Sequence, residues 1–472
     1  MQYSVVNYKT VKENSDFRID ADYYHPIYLR EDSLVAKFKK IPLSEFSFIT
    51  DGQHGYHEVD ENSPISHLTA KNAKNWFADT DSADRLARWV DDKNKRSSLR
   101  ENDLILSTRG TVGFCALVFQ DILPANIDQD IARIAIKEKL FLPEFLLVYF
   151  NSQFGQDWIK RNISGMVQQG LSLQKVRTAP IPLFNDGFQK IIRDTILKAK
   201  KYIDHSKSLY SQAERLLLSE LGLLEWKPKH TLSFVKSFSD TKDSNRFDAE
   251  YFQPKYEEIV EAINKYKGGF DELSNLVKIK KSIEPGSEAY QENGILFVRV
   301  SNLSKFELSD NNQQFISEEL YNELKTHQPK KGEILLSKDA TPGMAYFLNE
   351  ETQKMIVSGG ILRLKIDSKQ ILPEYLTLVL NSVIVQEQIE RDAGGSIINH
   401  WRPDQVKATL IPILKEDKQK EIKELVEKSF NDRKLSKSLL EIVKRGVEMA
   451  IEKDEQEAEK WIENELRKLE LD

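Results

Sequence analysis

The sequence holds a single cysteine, Cys115, in 472 residues. That excludes a disulfide framework and any multi-cysteine zinc site within one chain. Set in the apolar run G-F-C-A-L-V, Cys115 reads as a core residue. No stretch approaches the roughly 20 apolar residues that cross a bilayer. The opening M-Q-Y-S-V-V-N-Y-K-T lacks the basic-then-apolar order of a signal peptide, so the expected compartment is the cytoplasm. Excess positive charge is missing too: 68 basic against 74 acidic residues give a net −6. Residues 452–472 hold nine acids and four bases, −5 of that total, which leaves −6 − (−5) = −1 for the rest. Local basic patches that could contact phosphates are therefore not excluded.

Catalytic signatures are also absent. There is no N-P-P-F-like or D-P-P-Y-like loop with a Gly-rich turn, as an adenine methyltransferase needs. A G-x-x-x-x-G-K-[ST] phosphate loop and an H-E-x-x-H helix are missing as well. His54 and His57 follow Asp51 at metal-ligand spacing, but with no third ligand nearby they read as loop residues. The string P-D-Q-V-K at residues 403–407 is the nearest approach to a nuclease motif. Its counterpart L-Q-K-V-R argues for a structural role.

What the chain does have is duplication. Residues 18–28 read R-I-D-A-D-Y-Y-H-P-I-Y, and residues 246–256, shifted by 228, read R-F-D-A-E-Y-F-Q-P-K-Y. At a shift of 230, N-D-L-I-L-S-T-R-G-T-V-G from Asn102 matches G-E-I-L-L-S-K-D-A-T-P-G from Gly332. L-P-E-F-L-L-V-Y-F-N-S from Leu142 matches L-P-E-Y-L-T-L-V-L-N-S from Leu372. Val176 with Ile181-Pro182 then matches Val406 with Ile411-Pro412. Ordered blocks at one register over both halves define an internal repeat.

Each half predicts the same plan: about 185 residues with short β-rich runs between Gly, Asn and Asp, then a long helix. A shorter helix is expected after each L-P-E, with Pro in its first turn and Glu suited to the dipole. From about Gln189 to Glu220, Ile192, Ile196, Ala199, Ile203, Ser206, Tyr210, Ala213 and Leu217 alternate spacings of four and three. Ile422, Val426, Ser429, Arg433, Ser436, Leu440, Val443 and Val447 repeat that seam, with Arg433 its one charge. Such seams suit either two helices packed on their own domains or, as favoured here, one antiparallel pair with close approach at the small residues. E-W-K-P-K-H at residues 225–230 has linker composition. A helix of ~30 residues is ~45 Å long, comparable to the ~34 Å of one DNA turn, so two related modules could meet a bipartite duplex site.

Taken together, the R-x-D-A-[DE]-Y opening, the L-L-S turn, the L-P-E-[FY]-L helix, the I-P-[LI] close and the helix behind each module resemble type I restriction–modification specificity subunits. The resemblance runs over essentially the whole chain. It implies an α/β (α+β) protein with two pseudo-symmetric target recognition domains separated by two long antiparallel spacer helices. The expected divisions are 1–185 and 227–415 for the recognition domains, and 186–226 (with linker) and 416–472 for the spacers. It implies double-stranded DNA as ligand, and two modification (methyltransferase) subunits and two restriction subunits as partners. No cofactor is implied in this chain: S-adenosylmethionine belongs to the modification subunits, ATP and magnesium to the restriction subunits. K-D-A-T-P-G in place of T-R-G-T-V-G, and the acidic end beyond Glu452, depart from the repeat. The rival readings are the specificity chain of a type IIB-like system, a DNA-cutting enzyme and a protein-binding scaffold.

Base readout calls for Arg or Lys on guanine and Asn or Gln on adenine, and phosphate contacts call for cations. Loops at equivalent places in both modules supply the candidates. They are Thr69, Lys71, Asn72 and Lys74 against Arg299, Ser301, Asn302 and Lys305; Thr108 and Arg109 aligned with Lys338 and Asp339; and Gln168 and Gln169 against Asn399, His400 and Arg402. For each of them the alternative is a solvated loop residue or a cap. Arg18 with Asp20 and Arg246 with Asp248 read as ion pairs or caps, and Tyr23 and Tyr251 as core or partner-facing residues.

Overall fold

In a computed structural model the chain mixes helix and sheet, and residues 4–13, 18–165, 169–310, 312–393 and 400–469 are described. It divides into two compact units, Met1–Ile203 with Lys434–Asp472, and Asp204–Arg433. Each unit thus takes the first or second part of both long helices, where the sequence reading assigned whole helices to spacers.

The first unit holds a four-stranded sheet in which Ser47–Asp51, Ile131–Ile136, Leu104–Ser107 and Cys115–Leu117 are neighbours, all antiparallel. A three-stranded sheet puts Ser66–Leu68 between Asp84–Arg85 and Ala125–Ile127, the last pair parallel. The second unit repeats both: Val277–Lys281, Ile361–Ile366, Glu333–Ser337 and Ala345–Phe347 in one sheet, and Gln314–Ile316, Ile295–Val298 and Met355–Val357 in the other. Cys115 is buried in the first core.

Short helices start at each L-P-E as expected, Pro143–Asn151 and Pro373–Asn381, both with Pro in the first turn. Equivalent polar side chains tie the same backbone atoms. Asn151 Nδ2 donates to Cys115 O and Asn381 Nδ2 to Ala345 O, at 2.9 and 2.8 Å. Gln189 Oε1 accepts from Leu142 N and Gln419 Oε1 from Leu372 N, both at 2.9 Å. Each unit also buries an ion pair at corresponding positions, Arg133 with Asp103 at 2.7 Å and Arg363 with Glu333 at 3.8 Å, again 230 apart. Duplication reaches the hydrogen-bond network.

The long helices run Asp186–Glu220 and Glu416–Glu452. Inside each unit their seams pack as an antiparallel pair. In the first unit Ile192, Ile196 and Ala199 join Val443 and Val447 in the core, and Ser436 Oγ donates to Ala199 O at 2.8 Å. In the second, Tyr210, Ala213 and Leu217 join Ile422 and Val426, and the Ser206 and Ser429 hydroxyls meet at 2.9 Å. Small seam residues let the backbones approach, as anticipated. Arg433 packs its guanidinium 3.6 Å from the Phe306 ring centroid, a cation–π contact that lets a charge lie on the seam.

The reading of 416–472 as one spacer helix needs correction. Asp454 takes an extended backbone and its side chain accepts from Glu457 N, an N-cap that starts a second helix, Glu455–Lys468. Ala458 and Ile462 are buried, and Ile462 lies against Gly446, where a Cβ would come within 2.4 Å of its Cδ1. The acidic end is therefore a packed helix of the first unit.

Candidate nucleic-acid interface

The loops singled out in sequence come from distant parts of the chain, and within each unit a ladder of backbone bonds joins them. In the first unit Asp128 N donates to Leu68 O (3.1 Å), Thr108 N to Asp130 O (2.7 Å) and Leu171 N to Thr108 O (2.8 Å). In the second, Ser358 N donates to Val298 O (2.8 Å), Lys338 N to Gly360 O (2.9 Å) and Trp401 N to Lys338 O (2.9 Å). All five residue positions of these three bonds correspond at 230. A β-bridge pairs Arg109 with Gly170 and, at the same place, Asp339 with His400. Leu171 and Trp401, both buried, anchor these bridges from beneath.

The turn residues of this edge follow from local chemistry. Thr69 and Arg299 are N-caps of the short 3-10 helices Ala70–Ala73 and Val300–Asn302. Asn72 Oδ1 accepts from Thr69 N at 2.9 Å, and Asn302 Oδ1 from Arg299 N at 3.1 Å. Their amides donate onward, Asn72 to Asp81 O (3.0 Å) and Asn302 to Ser309 O (3.3 Å). Both side chains are buried. The cap alternative is thus what the geometry supports for Asn72 and Asn302: neither offers an amide edge to a base.

Four further candidates are buried or half-buried against their own unit. Thr108 is buried with its hydroxyl on Asp130 O at 3.0 Å. Lys305 lays its ammonium 4.8 Å from the Tyr210 ring centroid and 5.1 Å from that of Phe306, against the long helix. Arg299 is half-buried and donates to Asn312 O at 2.6 Å. Lys338 is half-buried and pairs with Asp339. Gln168 and Asn399 lie outside the described residues. Lys71, Lys74, Arg109 and Gln169 in the first unit, and Ser301, His400 and Arg402 in the second, stand exposed. Arg109 lies 3.9 Å from Asp130, His400 Nδ1 2.8 Å from Asp339 Oδ1, and Arg402 3.6 Å from Asp404. Asp339, the counterpart of Arg109 in the repeat, puts an acid at this place, where K-D-A-T-P-G departs from T-R-G-T-V-G.

Other motifs take structural roles. Arg18 pairs with Asp20 at 2.8 Å and Arg246 with Asp248 at 2.6 Å, while Asp20 and Asp248 accept from Tyr23 N and Tyr251 N. Each motif is ion pair and cap at once. Both guanidinium groups lie 4.7 Å from the following tyrosine ring centroid. Pro403–Lys407 is a one-turn helix like Leu173–Arg177, with Gln405 donating to Asp392 O at 2.8 Å. His54 Nε2 meets Asp51 at 2.8 Å. Among the described residues no three His, Cys, Asp or Glu side chains gather as metal ligands, and no helix is long and apolar enough to cross a membrane.

His67, on the buried strand before the first candidate loop, is packed on His57 with ring centroids 3.9 Å apart. Burial, reinforced by His57, lowers its pKa to about 4. The unfolded chain then takes up the proton first, so stability is full above the ordinary histidine value of about 6.5 and is lost as pH falls toward 4. The expected loss is about 3 kcal/mol. Urea unfolding at pH 7.5 and 4.5 checks it, and His67→Leu should flatten that part of the slope.

No family model matches the chain. Over 99 residues it is 29% identical to the Type I restriction enzyme EcoBI specificity subunit of Escherichia coli; the match spans 21% of this chain and 21% of that relative's length. The crystal structure of the type I restriction-modification S subunit from M. genitalium aligns with 88% of this chain and 95% of its own, at 13% identity and a TM-score of 0.39. The HsdS subunit of Thermoanaerobacter tengcongensis aligns with 88% of this chain and 97% of its own, at 15% identity and a TM-score of 0.28. In sequence, over about a fifth of its length, the chain is similar to the specificity subunit of a type I restriction enzyme.

Proposed function

We propose that this chain is the non-catalytic, sequence-specific DNA-binding subunit of a type I restriction–modification complex. The observation that carries the reading is one three-loop edge built twice on identical backbone ladders, with different exposed side chains. The shared scaffold suits a shared ligand, and the differing side chains suit two different half-sites. Residues 1–185 and 227–415 are the two recognition domains of this reading, with 186–226 and the helix Glu416–Glu452 as spacers. Lys71, Lys74, Arg109 and Gln169, and Ser301, His400 and Arg402, are the side chains that meet DNA. The cations hold phosphates, and Arg109 is suited to a guanine.

The chemistry belongs to partners. Two methyltransferase subunits using S-adenosylmethionine act on adenines flipped from the stack, and two ATP- and magnesium-dependent restriction subunits cleave. Two copies of one partner fit a further duplication. Val5 and Val235, Tyr8 and Phe238, and Ile19 and Phe247 are exposed apolar pairs in the opening segments of the two modules. Complexes of this kind work on chromosomal DNA, in the cytoplasm.

Selection from random duplexes, on the full chain assembled with its methyltransferase, tests the proposal. The expected product is a motif of two short blocks at a fixed gap. A scaffold yields no enriched motif, and cutting by the isolated chain with magnesium would establish the enzyme reading instead.

A further inference from the structure

We infer that His400, positioned by Asp339, is the base-reading side chain of the second unit at the place where the first unit uses Arg109. The inference rests on the DNA-reading proposal and adds which residues discriminate.

In the first unit the bridge leaves about half of the Arg109 side chain exposed, and the residue across it is Gly170. A Cβ at Gly170 would come 3.1 Å from Thr108 O, a tight approach, and touch the arginine stem at 3.4 Å from Cγ. In the second unit the assignment is exchanged. The arginine position is the short Asp339, and the glycine position carries His400, whose side chain is 60% exposed.

Asp339 gives the imidazole a defined orientation. Burial pushes its carboxyl up, but the hydrogen bonds from Lys338 and His400 outweigh that and hold it below the usual carboxylate value. It is therefore an ionised acceptor with no proton to give. The proton on the 2.8 Å contact belongs to His400 Nδ1, which leaves Nε2 as the one nitrogen free for a ligand. Lys338 sits on the other side of Asp339 and completes the clamp. Trp401, buried directly after His400 and bonded through its N–H to Lys338 O at 2.9 Å, fixes the backbone. The imidazole can then make one hydrogen bond to one base edge, where the fork of Arg109 can make two to a guanine.

Base preference in the selection on the assembled complex reads this out position by position. His400→Ala should weaken preference at one base position of one half-site by about tenfold and leave the other half-site untouched. Arg109→Ala should do the same in the other half-site, by about 5- to 150-fold. Asp339→Ala should weaken the same position as His400→Ala, and the double variant should lose no more than His400→Ala alone. Unchanged preferences in His400→Ala, or an equal loss at every position of both half-sites, would overturn the assignment. A double variant that loses more than His400→Ala would remove Asp339 from it. Thermal unfolding of each variant separates loss of fold from loss of contact. If the wild-type complex selects no two-block motif, the DNA reading itself fails and this inference fails with it.

Discussion

Arg133→Met is expected to destabilise the first unit by about 3–5 kcal/mol at neutral pH, the cost of leaving a buried carboxylate without its partner. Arg133 and Asp103 meet at 2.7 Å with only 6% of either side chain exposed. Arg133 also donates to Arg96 O at 2.8 Å, and Asp103 accepts from Arg100 N at 2.7 Å, so the pair closes the loop that leads into strand Leu104–Ser107. Burial raises the Asp103 pKa, and Arg133 recovers part of that. Without the guanidinium the carboxyl rises further and takes a proton more readily in the folded state than in the unfolded one. The penalty is therefore largest above that folded pKa and shrinks as pH falls toward the ordinary carboxylate value. Urea unfolding at pH 7.5 and 4.5 tests the sign. Asp103→Leu combined with Arg133→Met should recover most of the loss, because an apolar pair leaves no charge stranded. A single variant as stable as wild type at pH 7.5 would show that the pair contributes nothing.

The largest functional change is expected from the helices. Asp186–Glu220 and Glu416–Glu452 are each unbroken across the position where one unit gives way to the other. On the proposed reading they set the gap between half-sites. Seven residues inserted into both helices preserve the seam, because the a and d positions recur every seven. They lengthen the pair by about 10.5 Å, or roughly three base pairs at ~3.4 Å each. The selected motif should keep its bases in both blocks and gain about three unspecified positions between them. A changed base in either block, with the gap unaltered, would contradict the spacer role.

The parts legible in sequence were those set by local spacing or by the repeat. Along the seam from Ile192 to Leu217 every named residue but the half-buried Ile203 is buried, because helical periodicity is local. The L-P-E helices followed from Pro and Glu in a first turn. Convergence of the three loops was not legible, since the bonds from Thr108 to Asp130 and from Leu171 to Thr108 join segments that no spacing rule connects. The role of Asn72 was within reach. Thr69-x-x-Asn72 and Arg299-x-x-Asn302 place a side-chain acceptor three residues after an N-cap, as a capping box does. The chemistry of asparagine suits a base as well as a backbone amide, and only burial separates the two. The Asp103–Arg133 and Glu333–Arg363 pairs lie 30 residues apart in sequence. The repeat at 230 keeps an acid and an arginine at both places, and that was the one signal available.

The central claim is that two related readers, one per unit, select a two-part DNA target for enzymes that reside elsewhere. Methylation-aware sequencing of the genome that encodes this chain tests it most directly. The account predicts methylated adenines in a motif of two blocks at a fixed gap, lost throughout the genome when this chain is deleted. A methylation pattern unaltered by the deletion, or one confined to a single continuous block, would contradict it.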